Sequence, residues 1–224
     1  MTYKQILQAI KERDQKDEKM EQNNRAKMLK LGLKLYQPGR IVEVDTGKIE
    51  GVANVVTEIV TKIKTTDKII TLQGVSGSGK TSTASNLAKK IKAVHFSFGE
   101  LFRYLTYLEI EKKVKDWNEV FAQLDYQARG LNVDLYDGKR NISKELVREL
   151  RSEEIEKIIP LVAEKTQRPS IEFLAKKISA LSQSGVKIVL DGRAFTLDFL
   201  PCDLRFKLKC SAVIRAKRRL KQVN

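Results

Sequence analysis

The chain has 224 residues, with 43 lysines and arginines against 28 aspartates and glutamates, so its formal net charge at pH 7 is +15. This length suffices for one α/β domain with a sizeable core and, at most, a small inserted subdomain. The sequence has no run of 18 apolar residues and no apolar leader after Met1, which argues against a membrane span and a secretory signal. We therefore expect a soluble, cytoplasmic protein.

The positive charge raises the question of whether the chain binds nucleic acid. A field of this sign attracts polyanions. However, the basic residues do not gather beside aromatic residues that could stack on bases, and only residues 215–221 form a concentrated basic patch. Lysines spread over solvated helix faces, or a kinase whose substrates carry several phosphates, explain the charge as well. Nucleic acid is therefore kept as an alternative and not as the main prediction.

Cysteine and histidine are too scarce to form a metal or disulfide framework. Cys202 and Cys210 are eight residues apart, with no cluster of further cysteines or histidines around them. We expect both to be ordinary buried thiols. The single histidine, His95, lies in a predicted strand, where a structural role is favoured over catalysis.

The first 67 residues predict a helix, a strand and a second helix. Apolar residues at helical spacing from Tyr3 to Ile10 predict an amphipathic helix, and its continuation over 11–27 is almost wholly polar. A strand is predicted over 40–44, after the turn at Pro38 and Gly39. The second helix is predicted from five apolar residues at helical spacing: Ile49, Val52, Val56, Ile59 and Ile63. Residues 64–67 are predicted to be a linker into the next strand.

The segment that follows is the most informative in the chain. Residues 68–73 predict a buried strand, and residues 81–92 predict a helix with one apolar face. The pattern G-x-x-x-x-G-K-[ST] lies between them and comprises Gly74, Val75, Ser76, Gly77, Ser78, Gly79, Lys80 and Thr81. In such a loop, backbone N–H groups surround phosphate oxygens at the positive end of the helix, the lysine reaches the β and γ phosphates, and the threonine hydroxyl holds Mg²⁺. The sequence therefore predicts a site for ATP and Mg²⁺.

Beyond this loop the sequence predicts the remaining strands of a sheet and an inserted region. The further strands are predicted over 93–97, 186–190 and 204–210. Helices are predicted between 101 and 127, a hairpin around 136–139, and a long helical region over 144–182 that is broken near Pro160 and Pro169. Together with the strand that precedes the loop, these elements predict a three-layer α/β fold: a five-stranded parallel sheet with helices on both faces.

Four further segments resemble bacterial cytidylate kinases: residues 189–193 (VLDGR), 99–103 (GELFR), 214–219 (IRAKRR) and 10–17 (IKERDQKD). The resemblance covers nearly the whole chain but in rotated order, because residues 1–63 resemble the C-terminal part of the family. It implies a circularly permuted P-loop kinase fold in a single domain. In that reading, residues 64–67 join the natural ends of the family, residues 105–182 form an acceptor-binding insert, and residues 211–224 form a lid with residues 1–20.

The resemblance also implies an activity and an acceptor. The chain would transfer the γ-phosphoryl group of ATP to a nucleoside monophosphate of the (d)CMP type, in pyrimidine nucleotide metabolism. Arg103 and Arg193 would hold the acceptor phosphate, for which a planar guanidinium is apt. Asp17 would bind the acceptor sugar, and Arg168 would read its base.

The roles of the lid arginines come from the same resemblance, whereas those of Lys80 and Asp191 follow from the glycine-rich loop and from the strand end beside it. Arg13, with Arg218 and Arg219, would close over the transferring phosphate, while Lys80 holds the donor. Asp191 would order Mg²⁺ through water beside Thr81. From the residues alone, the alternative for Asp191 is a helix or turn cap, and the alternative for each arginine is a solvated surface charge.

The chain departs from the family pattern where the acceptor is read. The family has Asp-Ser-Gly where this chain has residues 97–99 (SFG), and its aspartate after Asp-Gly-Arg is replaced by Ala194. A base-reading serine falls on Ile159 or Pro160, and an arginine three residues beyond the lid aspartate is replaced by Met20. Each lost hydrogen bond is worth roughly 1 to 3 kcal/mol, so two or three losses would cost about 10²- to 10⁵-fold in selectivity. We therefore expect intact phosphate machinery with an altered base preference.

Two other functional classes stay open. The missing acceptor contacts suggest a degenerate kinase that acts as an ATP-binding regulatory protein. The charge suggests a nucleic-acid-associated P-loop protein. In either case we expect a monomer without a membrane partner.

Overall fold

A computed structural model of the protein describes residues 2–223, with side chains described over residues 2–220. Met1 and Asn224, the outer ends of the predicted lid, lie outside the described residues. The elements in chain order are α1 (Tyr3–Lys30), β1 (Arg40–Asp45), α2 (Val52–Val60), β2 (Ile69–Gly74), α3 (Lys80–Lys90), β3 (Val94–Ser97), α4 (Gly99–Ile110), α5 (Trp117–Gln123), β4 (Leu124–Arg129), β5 (Asn132–Asp137), β6 (Arg140–Asn141), α6 (Ile142–Glu145), α7 (Glu153–Gln183), β7 (Ile188–Gly192), α8 (Ala194–Leu197), β8 (Leu204–Lys209) and α9 (Ala212–Val223). None of the helices described is long and apolar enough to cross a bilayer.

The five predicted core strands form one parallel sheet in the order β1-β8-β2-β7-β3. Neighbouring residues of a strand point to opposite faces of the sheet, so the continuous apolar runs bury side chains on both faces. Ile69 packs into one core cluster and Ile70 into the other. Helices α2 and α3 cover one face, and α4, α7 and α8 cover the other. The predicted three-layer α/β fold with a five-stranded parallel sheet is confirmed.

The second predicted helix is shorter than its apolar pattern indicates. Helix α2 covers Val52–Val60, so Ile49 and Ile63 lie in the loops on either side of it. Both side chains still pack against the core cluster that α2 and α3 share. The spacing therefore identified the buried face correctly, but it did not identify the helix ends.

A small antiparallel sheet, β4-β5-β6, lies within the predicted insert. The turn predicted around 136–139 joins β5 to β6. The expected helical content up to residue 127 is wrong, because Leu124–Arg129 is strand β4. Leu124 and Tyr126 are buried with a more exposed residue between them, which is the period of a strand and not of a helix.

Helix α7 runs without interruption for 31 residues and contains both Pro160 and Pro169. The prediction that the helix breaks at these prolines is wrong. A proline inside a helix removes one hydrogen bond and costs about 3 kcal/mol. Residues on both sides of the prolines, among them Val162 and Leu174, are buried on the face that packs against α4. Burial of this face outweighs the local cost of the prolines.

The carboxyl ends of all five parallel strands meet at one edge of the sheet. Strand β2 at the centre ends at Gly74, where the glycine-rich loop begins, and β7 beside it ends at Gly192. In open α/β sheets, ligands bind in the crevice at this edge. Helix α1 packs against α9, which follows β8. The topology therefore brings residues from both ends of the sequence to the loop.

Candidate phosphate-binding site

The glycines of the 74–81 loop are required by its backbone. Gly77 and Gly79 have φ values of +79° and +88°, in the left-handed region that favours glycine. A Cβ at Gly74 would lie 2.6 Å from the Leu208 carbonyl oxygen, so no side chain fits there. Gly79 is the N-cap of α3 and provides no side-chain hydrogen bond. The first N–H groups of α3 can therefore be taken by an anion, with the positive end of the helix dipole behind them.

Lys80 lies at the start of α3 and lines a cavity of about 890 Å³ between the loop and α1. Its Nζ donates a hydrogen bond to the Val75 carbonyl at 3.0 Å. Burial lowers the pKa of Lys80, and the nearby Asp191 and Glu21 carboxylates oppose that shift. The ammonium group thus faces the space that the loop surrounds.

Asp191, within β7, lies beside this loop and uses both carboxylate oxygens. Its Oδ2 accepts a hydrogen bond from the Thr81 hydroxyl at 2.7 Å, and its Oδ1 lies 2.6 Å from His95 Nε2. Burial would raise the pKa of Asp191, but the hydrogen bonds from His95 and Thr81 hold it below its ordinary value. A hydroxyl and a carboxylate side by side are the oxygen ligands that Mg²⁺ prefers. The residues therefore fit a magnesium ion, and these contacts do not support the capping alternative for Asp191.

The three arginines that are predicted to bind the acceptor have different partners in the structure. Arg193 lines the large cavity and donates to Asp17 of α1 at 3.3 Å. Arg103 donates to Glu156 of α7 at 2.8 Å, and its guanidinium lies over Gly99, the first residue of α4. Arg168, by contrast, is paired with its helical neighbour Glu172 at 2.9 Å on the exposed side of α7.

The residues at which the sequence departs from the expected acceptor-reading pattern have apolar side chains in different surroundings. The Phe98 ring packs so closely on Gly192 that a Cβ there would lie 2.5 Å from the ring. Ile159 packs against the core cluster on the α7 face of the sheet. Ala194 lines the large cavity beside Arg193. These residues offer no hydrogen-bonding side chain to an acceptor.

The predicted lid arginines gather around a second cavity of about 340 Å³ on the other side of the glycine-rich loop. Arg13, Arg218 and Arg219 all line it, together with Ser76–Gly79. Arg218 also donates to the Thr46 carbonyl after β1. Arg13 lines the larger cavity as well. The structure therefore brings all three arginines to the loop.

Arg215 is a residue of this site that the sequence analysis did not single out. Its side chain is 5% exposed and forms an ion pair with Asp14. It also donates to the carbonyls of Ser76, at 3.0 Å, and Cys210, at 3.1 Å. Arg215 is three residues before Arg218 and four before Arg219, so the three arginines share one helix face. This spacing is a signal by which the sequence could have identified Arg215.

Helix α1 presents an acidic stripe to these cations. Asp14, Asp17 and Glu21 are spaced by three and four residues, so they share one face of the helix, and all three line the large cavity. Burial raises the pKa of Glu21, while the Ala194 backbone and the charge of Arg193 counteract it. The cations of the site therefore face carboxylates in the absence of a bound anion.

Comparison with known proteins gives one consistent family. A family model described as Cytidylate kinase matches residues 70–224. The chain is 30% identical to the cytidylate kinase of Acholeplasma laidlawii over 156 residues, which covers 67% of this chain and 66% of that protein. It is 30% identical to the cytidylate kinase of Mycoplasmopsis synoviae over 159 residues (68% and 70%), and 31% identical to that of Mesoplasma florum over 157 residues (69% and 69%). The match thus spans about two thirds of the length of these relatives. Because the family model covers more than half of the chain, and the fold and the glycine-rich loop agree with it, the chain belongs to the cytidylate kinase family of phosphotransferases.

Proposed function

We propose that this chain is an ATP-dependent nucleoside monophosphate kinase that phosphorylates a (d)CMP-type acceptor, with a base preference altered from that of its family. The observation that carries the proposal is the Thr81–Asp191 contact at 2.7 Å beside the Lys80 loop. It combines a phosphate-binding loop with a pair of oxygen ligands for Mg²⁺ at the carboxyl edge of the sheet. The family membership supports the class of reaction.

Phosphoryl transfer is mainly a problem of positioning and positive charge, because negative charge spreads over the transferred group. Lys80 and the N–H groups of the loop would bind the donor phosphates. Arg13, Arg218 and Arg219 surround the loop and would neutralise charge on the transferred group. Mg²⁺, when bound by Thr81 and through water by Asp191, would supply further neutralisation. Hydrogen bonds already hold Lys80, Arg218 and the Thr81–Asp191 pair in place, which favours an electrostatic mechanism.

On the acceptor side, Arg193 and Arg103 would bind the monophosphate, and Asp17 the sugar. Phe98, Ile159 and Ala194 support an altered base preference, because none of them can hydrogen-bond a base or its phosphate. Arg168, paired with Glu172, has no contact that supports its proposed role in base reading. We keep that role as a proposal that needs Arg168 to leave its partner. By resemblance to the family, we further propose that the enzyme is a cytoplasmic monomer.

We also propose that the chain is a circular permutant of its family. The family model begins at residue 70, just after the proposed joint at 64–67, and about one third of each relative is unmatched. The unmatched residues 1–69 include α1, β1 and α2. Strand β1 adds to the edge of the sheet in parallel with β8, and α1 packs against α9. These placements are what a C-terminal third moved to the front would require. Aligning relatives separately to residues 1–63 tests this: a match to their C-terminal part is expected, and a match to no part of them would reject the permutation.

A coupled assay of ADP release over a panel of nucleoside monophosphates tests the activity. We expect turnover with at least one of these acceptors. The preference for CMP and dCMP over the other monophosphates is expected to be weaker than the family pattern implies. Lys80→Ala is the matched negative control, since it removes the ammonium group while leaving the glycines in place. ATP binding without turnover on any acceptor would instead favour a degenerate kinase with a regulatory role. No affinity for ATP or GTP in the presence of Mg²⁺ would reject both.

A further inference from the structure

His95 reaches Asp191 across two neighbouring strands of the sheet. His95 in β3 is in register with Val189 of β7, and Asp191 lies two residues further along β7. Residues two apart in a strand share a face, so the imidazole and the carboxylate project to the same side. His95 Nε2 lies 2.6 Å from Asp191 Oδ1. Both side chains are largely buried, with 21% and 9% exposure, so water competes little for this contact.

The contact leaves the Asp191 carboxylate one orientation. Oδ1 is engaged by the imidazole, and Oδ2 is consequently turned toward the Thr81 hydroxyl at 2.7 Å. Rotation of the carboxylate about its Cβ–Cγ bond would break both hydrogen bonds. The imidazole, which lies on the side of Asp191 away from Thr81, therefore fixes the orientation of Oδ2 relative to α3.

His95 itself does not share the cavity that Lys80 and Arg193 line. It lines a separate cavity of about 470 Å³, together with Ser85 and Lys89 of α3 and Glu100 of α4. Asp191 thus lies between the imidazole and Thr81. Among the described residues, the hydrogen bond to Asp191 is what links the His95 side chain to the phosphate-binding site.

We propose that His95 is a positioning residue for the magnesium site, holding the Asp191 carboxylate so that Oδ2 stays beside Thr81. The proposal rests on the proposed function, in which these two residues hold Mg²⁺. Outer-shell partners of metal-binding carboxylates typically change metal affinity or activity by 10- to 100-fold when they are replaced.

The test measures how much a divalent metal strengthens the binding of ADP. The affinity of the purified protein for ADP is determined by titration calorimetry with and without Mn²⁺, a probe for the magnesium site that also gives a spin-resonance signal. For His95→Leu we expect the strengthening by Mn²⁺ to fall about 10-fold or more, with metal-free ADP affinity within about two-fold of the parent protein. His95→Gln, which keeps an N–H donor, is expected to retain most of the metal effect.

Two controls separate positioning from a general structural effect. Ser85→Ala alters the same 470 Å³ cavity without touching Asp191 and is expected to leave both affinities unchanged. In an Asp191→Asn background, adding His95→Leu is expected to change the metal effect no further, because His95 acts only through that carboxylate. If His95→Leu fails to fold, His95→Asn, whose side chain is shorter, is expected to show the same loss of the metal effect.

An unchanged metal effect in the folded His95→Leu or His95→Asn protein would overturn the inference. So would full additivity of His95→Leu and Asp191→Asn. Failure of the parent protein to bind ADP at all would instead overturn the proposed function, and is distinguished by the metal-free titration.

Discussion

The Arg215 guanidinium joins the Asp14 carboxylate of α1 to the Ser76 carbonyl of the phosphate-binding loop, although Asp14 and Arg215 are 201 residues apart in sequence. Arg215 is almost fully buried, while Asp14 is partly exposed. The contact ties α1 to the loop and to α9 in one hydrogen-bonded unit. The loop therefore depends on residues from both ends of the chain.

Removing Asp14 should destabilise the protein, because it leaves the buried Arg215 charge without its carboxylate. Breaking a buried ion pair by deleting one partner costs about 3 to 5 kcal/mol. Asp14 keeps some contact with water, so we expect a value near the lower end for Asp14→Ala. Urea unfolding measures the change. Arg219→Ala, which removes an exposed arginine of the same helix, is the control and should change stability by less than about 0.5 kcal/mol. Equal effects of the two variants would contradict the structural role given to Arg215.

Lys80→Met should leave the fold intact but abolish most phosphoryl transfer. The ammonium group is the cation that the loop itself supplies, and removing one pre-positioned donor typically lowers the catalytic rate about 10²- to 10³-fold. Initial rates of ADP release at saturating substrates measure this loss. Lys89→Met removes the same charge from the last turn of α3, away from the loop, and is expected to keep the parent rate. A Lys80 variant with near-parent activity would exclude the loop as the donor site.

Glu156→Gln should strengthen acceptor binding. Glu156 accepts a hydrogen bond from the Arg103 guanidinium at 2.8 Å, and in the proposed role of Arg103 an acceptor phosphate would have to displace this carboxylate. Both side chains are substantially exposed, at 34% and 50%, so such a pair is worth at most about 1 kcal/mol. We therefore expect the acceptor KM to fall by up to about five-fold, with the KM for ATP unchanged.

Glu153→Gln is the matched control for that change, because it removes the same charge from the start of α7 at a residue with no proposed role. Glu153 lies 3.9 Å from Lys157, and both side chains are exposed. This variant is expected to leave the acceptor KM unchanged. A KM that rises in Glu156→Gln would show that the carboxylate binds the acceptor instead of competing with it.

Glu100 should make stability depend on pH. Burial raises its pKa above the ordinary value of 4.5, although the hydrogen bond from Ser143 opposes this. A carboxyl whose folded pKa is raised contributes stability that is fully present below the ordinary value and is lost as pH rises through the folded pKa. Glu100→Gln removes the titration, so its free energy of unfolding relative to the parent should increase as the pH rises above 4.5. Urea unfolding at several pH values measures the difference, and a difference that does not vary with pH would contradict the burial of this charge.

The sequence predicted the sheet and the glycine-rich loop because their signals are local. The continuous apolar run of β2 and the glycine positions of residues 74–79 are recognised from a few adjacent residues. The continuity of α7 was not predicted, since it depends on burial against α4 on both sides of Pro160 and Pro169. Rules based on neighbouring residues do not include the free energy of that burial.

Locality of the signal also explains which part of the candidate site could be predicted. Lys80, Thr81 and Asp191 follow from motifs at strand ends. The contact between His95 and Asp191 does not, because it runs diagonally across β3 and β7 between residues 96 positions apart. The single histidine was therefore expected to be merely structural, while the structure places it directly behind the Thr81–Asp191 pair.

The acidic stripe of α1 also changes how the excess positive charge of the chain is presented. Asp14, Asp17 and Glu21 lie beside Arg215, Arg193 and Lys80, so part of the positive charge that lines the crevice is neutralised within the protein. An anion that binds there has to separate some of these pairs, and the free energy of separating them subtracts from its affinity.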